Sequence, residues 1–125
     1  MPYSLTYNSD SRIIEVKFQG DVILGEISMI FSEAAQVSKE NNSFLFLGDF
    51  RDATMKLSTL ELHGLPKMLS DIFSLSGIPV HKLKRAIVVA KDLKDYSFLE
   101  TVNINRGQTI KIFHDYSEAK KWLLK

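Results

Sequence analysis

Helix-like and strand-like patterns alternate along most of this chain of 125 residues, and few folds accept that order. Apolar residues recur at helical spacing over residues 25–40, and a short apolar run typical of a buried strand follows over residues 44–50. A second helical segment begins near Ser58, and another buried-strand run covers residues 86–90. Because alternating strands and helices with short connections require parallel pairing through right-handed crossovers, the order predicts an α/β sheet.

The two ends of the chain complete the expected architecture. Strand-like segments over residues 3–7 and 12–19 flank the turn-forming cluster Asn8-Ser9-Asp10-Ser11, which predicts an antiparallel hairpin. A third helix, a last strand and a final helix are expected over residues 92–103, 109–113 and 116–124. The predicted fold is therefore a mixed, mostly parallel five-stranded sheet with an N-terminal antiparallel hairpin and about four helices, in one domain spanning residues 1–125.

Side chains near two of the expected helix starts are suited to capping. Ser58 and Glu61 have the spacing of a capping box, in which a hydroxyl accepts from the third helical amide and a carboxylate bonds back. Asp115 and Glu118 form a similar pair ahead of the last helix. These pairs place two helix starts at defined residues.

Composition and charge exclude several classes of protein. The net charge of +1 argues against a dedicated nucleic-acid binder, which needs an excess of Lys and Arg to neutralise phosphates. The absence of cysteine excludes disulfides, thiolate metal sites and cysteine nucleophiles. No apolar run is long enough to span a bilayer, and the N-terminal residues do not have the pattern of a signal peptide. We therefore expect a cytoplasmic protein without an integral membrane segment.

The residues that most often carry catalysis or bind metals are scattered. His63, His81 and His114 fall on an expected helix, a loop and a strand end, without the spacing of a metal site. The glycine-rich phosphate motifs and the nucleophile-elbow motif are also missing from the sequence. We predict no catalytic residue, no metal site and no cofactor. An enzyme would require a cleft that brings a histidine close to a carboxylate and a nucleophile.

The apolar run of the central strand breaks abruptly into charge. Residues 44–52 spell FLFLGDFRD, and in open α/β sheets ligands and partners gather at such strand ends. The candidate partner or ligand residues are Asp49, Arg51, Asp52 and Thr54. Arg51 has the donor geometry to bind a carboxylate or phosphate in bidentate fashion, but in a second interpretation it pairs with the neighbouring acids.

The second helical segment has more apolar residues than one narrow stripe needs. Gly64 and Pro66 interrupt it, so we expect a kink or two short helices. The apolar residues concerned are Leu62, Leu65, Met68, Leu69 and Phe73. Two interpretations stay open, since these side chains could pack in the core or could form an apolar groove or dimer face.

A basic stretch precedes the strand predicted over residues 86–90. It contains His81, Lys82, Lys84 and Arg85. Such a stretch either contacts an anionic surface or ligand or is simply solvated.

Two segments resemble a known group of proteins. LFLGDFRDA and TIKIFHDYSEAKKWL resemble the SpoIIAA-like proteins of the STAS superfamily, the bacterial domains related to anti-sigma factor antagonists. The resemblance covers essentially the whole chain and implies strand and helix units wound right-handedly behind an N-terminal hairpin. In the antagonist branch, an acid, two serines and a glycine lead into the helix after the central strand, and a hydroxyl there is phosphorylated to switch partner binding.

The matching positions in this chain are Leu57, Ser58, Thr59 and Leu60. Hydroxyls occupy both central positions, so Ser58 and Thr59 are the candidate phosphoacceptors. Leu57 stands in place of the acid and Leu60 in place of the glycine, which moves the chain toward the SpoIIAA-like branch. In the alternative interpretation Ser58 serves only as the helix N-cap.

These observations predict a non-enzymatic regulatory or protein-interaction module of STAS type, a degenerate relative of the anti-sigma factor antagonists. Its working surface would extend over residues 49–59, and its partner would be another protein or a second copy of the chain. The alternative is a carrier of a small apolar or lipid-like ligand, held between a kinked second helix and the sheet. No nucleic-acid partner is expected.

Overall fold

The chain begins with the predicted antiparallel hairpin. In the computed structural model, which describes residues 3–90 and 109–125, β1 (Tyr3–Asn8) pairs with β2 (Ile13–Val22) in a register that opposes Tyr3 to Phe18. The turn is stabilised by Asn8, whose side-chain oxygen accepts from the backbone N–H groups of Asp10 at 2.9 Å and Ser11 at 3.2 Å.

The remaining elements alternate as the sequence pattern predicts. They are α1 (Leu24–Asn41), β3 (Leu45–Met55), α2 (Thr59–Leu75), a short 3-10 turn (Val80–Lys82), β4 (Lys84–Val88), β5 (Thr109–Phe113) and α3 (Tyr116–Leu123). The five strands form one sheet in the order β1-β2-β3-β4-β5, and every pair from β2 to β5 is parallel. The helix predicted over residues 92–103 lies outside the described residues.

Strand β3 is longer than the sequence predicts. The strand predicted over residues 44–50 ends too early, because β3 continues to Met55 alongside β2. A bulge interrupts this pairing, since Lys17 opposes Asp49 whereas Gln19 opposes Asp52. Strand β4 ends opposite Asp49, so the rest of β3 forms a two-stranded extension with β2. Charged side chains suit an extension that is open to water.

The sheet is covered on both faces, and β3 therefore alternates between two apolar layers. On one face, Ile14 and Phe46 pack against Ala34 of α1 and Phe73 of α2. On the other, the core consists of Ile13, Leu47, Ala86, Val88, Ala119 and Leu123. The last two belong to α3, so the final helix lies on the face opposite α1 and α2.

Helix α2 is one continuous helix. The alternative of two short helices is wrong, because the helix runs from Thr59 to Leu75 with Pro66 inside it. Proline removes one backbone donor from the helix, but buried Pro66 contributes apolar surface to the packing.

The expected cap of α3 is present in an altered form. Asp115 is the N-cap and accepts from the backbone N–H of Ser117 at 2.9 Å, two residues further on. The capping pair expected between Asp115 and Glu118, three residues apart, is therefore replaced by a turn in which the side chain of Asp115 bonds two residues ahead. Within residues 3–90 and 109–125, no helix is both long and apolar enough to cross a membrane.

Candidate functional site

The central feature of the predicted surface is an ion pair between Asp49 and Arg51. Arg51 Nε donates to Asp49 Oδ1 at 2.9 Å, and Arg51 Nη2 donates to Oδ2 at 2.7 Å. The backbone N–H of Arg51 also donates to Oδ1, at 3.1 Å. Asp49 is only 2% exposed, whereas 44% of the Arg51 side chain is exposed. The acid is thus buried beneath a guanidinium that reaches the surface.

This pair fixes the charge of both groups. Burial by itself would raise the pKa of Asp49, but the hydrogen bonds and the positive charge of Arg51 outweigh burial and lower it. The same hydrogen bond raises the pKa of Arg51. Asp49 is therefore permanently ionised near neutral pH and does not act as a proton acceptor there.

Two residues from distant parts of the chain extend the site. The Arg51 guanidinium lies 5.3 Å from the centre of the Tyr116 ring, within the range of a cation–π contact. The Tyr116 hydroxyl donates to Glu15 Oε1, which links α3 to β2. Burial, followed by this hydrogen bond, raises the pKa of Tyr116 to about 12. We call Glu15, Asp49, Arg51 and Tyr116 the polar cluster.

Sequence reasoning found half of this cluster. It identified Asp49 and Arg51, including the interpretation in which they pair with each other, and it missed Glu15 and Tyr116. Glu15 gave one signal, since it lies on the polar side of the alternating pattern of β2. The contact between Glu15 and Tyr116 spans 101 positions, so no local pattern indicates it.

Asp52 and Thr54 lie further along β3, on the two-stranded extension. Asp52 Oδ2 is 3.6 Å from Lys17 Nζ, and 62% of the Asp52 side chain and 40% of the Lys17 side chain are exposed. Thr54 is exposed and opposes Asp21 of β2. An exposed ion pair of this kind contributes little free energy, so these two residues are available to a partner without disturbing the core.

The predicted capping box at the start of α2 is confirmed. The backbone N–H of Glu61 donates to Ser58 Oγ at 3.1 Å, and the backbone N–H of Ser58 donates to Glu61 Oε1 at 2.8 Å. The hydroxyl of Ser58 therefore already has a structural role. Thr59 is the first helical residue and is exposed, and the following Leu60 is 84% exposed. We call residues 58–60 the α2 start.

The apolar residues predicted on α2 face inward. Leu69 and Phe73 are buried, and Leu65 and Met68 are partly buried against the adjoining core. The prediction of a dimer face is therefore wrong for Leu69 and Phe73, because their side chains contact the sheet and α1. Leu62 is half-buried. The strongly exposed apolar residues of α2 are at its two ends, Leu60 at 84% and Leu75 at 89%.

These inward-facing residues line a cavity of about 120 Å³ between the sheet and helices α1 and α2. Leu65, Leu69 and Phe73 contribute the α2 side. The other apolar walls come from Val16, Phe18, Ile27, Ile30, Phe31, Ala34, Phe46, Leu47, Phe50, Ile87 and Ile110. Arg85 is the charged residue in the described part of the lining, and burial lowers its pKa to about 10.

The cationic residues of the basic stretch have separate structural roles. Lys84 Nζ donates to the carbonyl oxygen of Trp122 at 2.7 Å and lies 4.7 Å from the centre of its ring. A lysine at the last carbonyls of α3 stabilises the C-terminus of that helix. Lys82 lies 5.8 Å from the ring centre of Phe44, and Arg85 lines the cavity. Lys82, Lys84 and Arg85 therefore contact different parts of the structure.

The histidines are not brought together. His63 and His81 are exposed, and His114 Nδ1 lies 3.4 Å from the carbonyl oxygen of Val89. Among residues 3–90 and 109–125, no group of three or more His, Cys, Asp and Glu residues could hold a metal ion.

The protein has an α/β fold that is SpoIIAA-like and of STAS type, as predicted. It consists of an antiparallel hairpin, three further parallel strands and helices on both faces of the sheet. The chain is similar to the crystal structure of an uncharacterised protein of the DUF3478 family with a SpoIIAA-like fold, from Shewanella loihica PV-4. The two are 16% identical, with a TM-score of 0.58 over 97% of this chain and 91% of the other. No protein-family model matches the chain, and no curated protein matches it. At this identity the likeness establishes the fold.

Proposed function

We propose that this chain is a single-domain, non-enzymatic interaction module of STAS type, acting in the cytoplasm and binding a protein partner through the α2 start. The observation that carries the proposal is Leu60, a large apolar side chain that is 84% exposed in the first turn of a firmly capped helix. An apolar anchor on a rigid element loses little conformational entropy when a partner covers it.

The residues around Leu60 give the surface polar specificity. Ser58 and Thr59 are exposed beside it, and Asp52 and Thr54 are exposed on the preceding strand extension. An apolar centre with a polar rim is the usual composition of a protein interface.

Arg51 is proposed as a second, polar anchor. Two of its N–H groups are held by Asp49, which fixes the plane of the guanidinium at the surface. A guanidinium has five N–H donors, so others stay available for an acidic group of a partner.

The polar cluster supports a role without catalysis. The pKa of Asp49 is lowered and that of Tyr116 is raised to about 12, so both groups keep one protonation state near neutral pH. General acids and bases work best with pKa values near the operating pH, which neither group has.

Thr59 is the better candidate for a phosphorylation switch. A phosphate on Ser58 would compete with Glu61 for the same backbone amides, whereas the hydroxyl of Thr59 lies outside the capping box. A phosphate at this helix start would be favoured by the free amides and the helix dipole, and it would add charge beside Leu60.

The interaction is tested by quantitative capture on immobilised protein. The variant Leu60→Ser should lose a partner that the unmodified chain retains, and Leu75→Ser is the matched control, since Leu75 is 89% exposed at the other end of the same helix. Equal capture by both variants would contradict the proposal. The switch is tested separately by incubation with lysate kinases and ATP. No phosphate at either hydroxyl, together with unchanged capture by Thr59→Ala, would rule out the switch alone.

A second candidate function is transport or sensing of a small apolar ligand, and the cavity of about 120 Å³ favours it. Native mass spectrometry of the purified chain separates the two candidates. A retained compound of defined mass supports the carrier, whereas ligand-free dimers support the interaction module with a second copy as partner.

A further inference from the structure

Five of the described residues that line the cavity are phenylalanines. Its phenylalanines are Phe18, Phe31, Phe46, Phe50 and Phe73. Phe18 and Phe50 are stacked with ring centres 4.5 Å apart, and Phe46 meets Phe73 edge to face at 5.6 Å. Aromatic pairs gain free energy beyond burial of their area, so such walls favour an aromatic ring.

Among its described lining residues, the same cavity has one positive charge, that of Arg85. Arg85 lies on β4 between Phe46 of β3 and Ile110 of β5, and all three line the cavity. Burial lowers the pKa of Arg85 only to about 10, so its guanidinium is cationic near neutral pH. A guanidinium binds a carboxylate through two parallel hydrogen bonds, and its five donors allow it to keep another contact at the same time.

The volume limits the size of the occupant. An apolar cavity of about 150 Å³ in another protein binds benzene, so a cavity of about 120 Å³ is of the order that suits one six-membered ring. Gly48 lies on the cavity wall, where the Phe50 ring and Ile87 pack closely against its backbone. A Cβ at this position would lie 3.0 Å from the Phe50 ring and 3.1 Å from Ile87 Cδ1.

We propose that this cavity binds a small aromatic carboxylate of about the size of benzoate, with its ring among the phenylalanines and its carboxylate on Arg85. This inference rests on the second candidate function and defines the chemistry of its ligand. It replaces the lipid-like ligand of the sequence-based alternative with a single ring and adds a negative charge.

The proposal is tested by titrating the purified full chain with three probes of similar size, benzoate, toluene and benzylamine, followed by protein chemical shifts. Benzoate should bind at least about tenfold more tightly than toluene, because a hydrogen bond to a charged group contributes that much. Benzylamine, with the opposite charge, should bind most weakly.

Variants locate the site. Arg85→Gln should weaken benzoate binding about tenfold and leave toluene binding within about threefold. Lys67→Gln is the control, since it removes an exposed cation from α2, outside the cavity lining. Gly48→Ala should weaken both probes, because the added methyl group crowds the cavity wall. The probe comparison on the unmodified chain keeps the test decisive if Arg85→Gln does not fold.

The outcomes distinguish the aromatic carboxylate proposed here from the more general apolar carrier. Toluene binding as tightly as benzoate, or benzoate binding unchanged in Arg85→Gln, overturns the carboxylate and leaves an apolar carrier. Absence of binding by all three probes overturns both this inference and the carrier. Neither result bears on the α2 start as a protein contact.

Discussion

Removing Asp49 and removing Arg51 should reduce the stability of the protein by different amounts. Asp49 is 2% exposed, whereas the Arg51 side chain is 44% exposed, so removing either partner leaves the other in a very different environment. In Arg51→Met, a buried carboxylate keeps its backbone hydrogen bond but loses two charged donors. In Asp49→Asn, the remaining guanidinium can be hydrated and the amide oxygen can still accept.

The structure therefore predicts unequal losses of stability. Breaking a buried ion pair costs about 3–5 kcal/mol, and we expect about 3 kcal/mol for Arg51→Met because half of the pair is near water. Losing one charge-assisted hydrogen bond costs about 1.5 kcal/mol, which is the loss expected for Asp49→Asn. The assay is urea unfolding at about pH 7, followed by far-UV circular dichroism and by fluorescence of the single tryptophan.

The pH dependence provides a second check on the same reasoning. In the unmodified chain the folded pKa of Asp49 is lowered, so its contribution is complete above the unfolded pKa of about 3.9 and is lost at lower pH. Without the Arg51 guanidinium, its charge and side-chain hydrogen bonds no longer offset burial, so the folded pKa of Asp49 rises and the variant recovers stability relative to the unmodified chain as the pH falls toward the unfolded pKa. Equal losses for the two variants, or a difference that does not shrink with falling pH, would refute this reasoning.

Three further substitutions have definite expected outcomes. Ser58→Ala removes the cap of α2 and should cost about 1 kcal/mol in urea unfolding, with Thr59→Ala as the near-neutral control; equal losses would contradict the capping role. Lys84→Met removes the cation at the end of α3 and should cost about 1 kcal/mol while changing the emission of Trp122; an unchanged spectrum would count against that contact. The folded pKa of Tyr116, about 12, exceeds the unfolded value of about 10, so its contribution is present below about pH 10 and is lost toward pH 12. Tyr116→Phe should make the alkaline loss of stability shallower, and an identical alkaline limb would exclude this role.

Local patterns predicted most of the fold because its elements obey local rules. Helical spacing in α1 and the capping box at Ser58 each depend on residues within one or two turns. The length of β3 was missed because residues after Phe50 are polar, and only their pairing with β2 across the bulge keeps them in a strand. The continuity of α2 through Pro66 was not predictable either, since packing overrides the local cost of proline.

The candidate site was predictable only in part for the same reason. Asp49 and Arg51 are two positions apart, so their pairing was one of the interpretations that the sequence offered. Tyr116 and Arg85 acquire their surroundings from other strands and helices, through contacts that span much of the chain. The apolar residues of α2 fitted two interpretations, and the burial of Leu69 and Phe73 depends on the position of the helix against the sheet.

The most direct test of the interaction module is photo-crosslinking from the α2 start in intact cells. A photoreactive phenylalanine analogue replaces Leu60 in one variant and Leu75 in the other, since both positions are strongly exposed on the same helix. We predict a discrete covalent adduct from position 60 that is absent from position 75. Its mass would distinguish a second 14.2 kDa chain from a different protein. No adduct at position 60, or the same adducts from both positions, would contradict the proposed function.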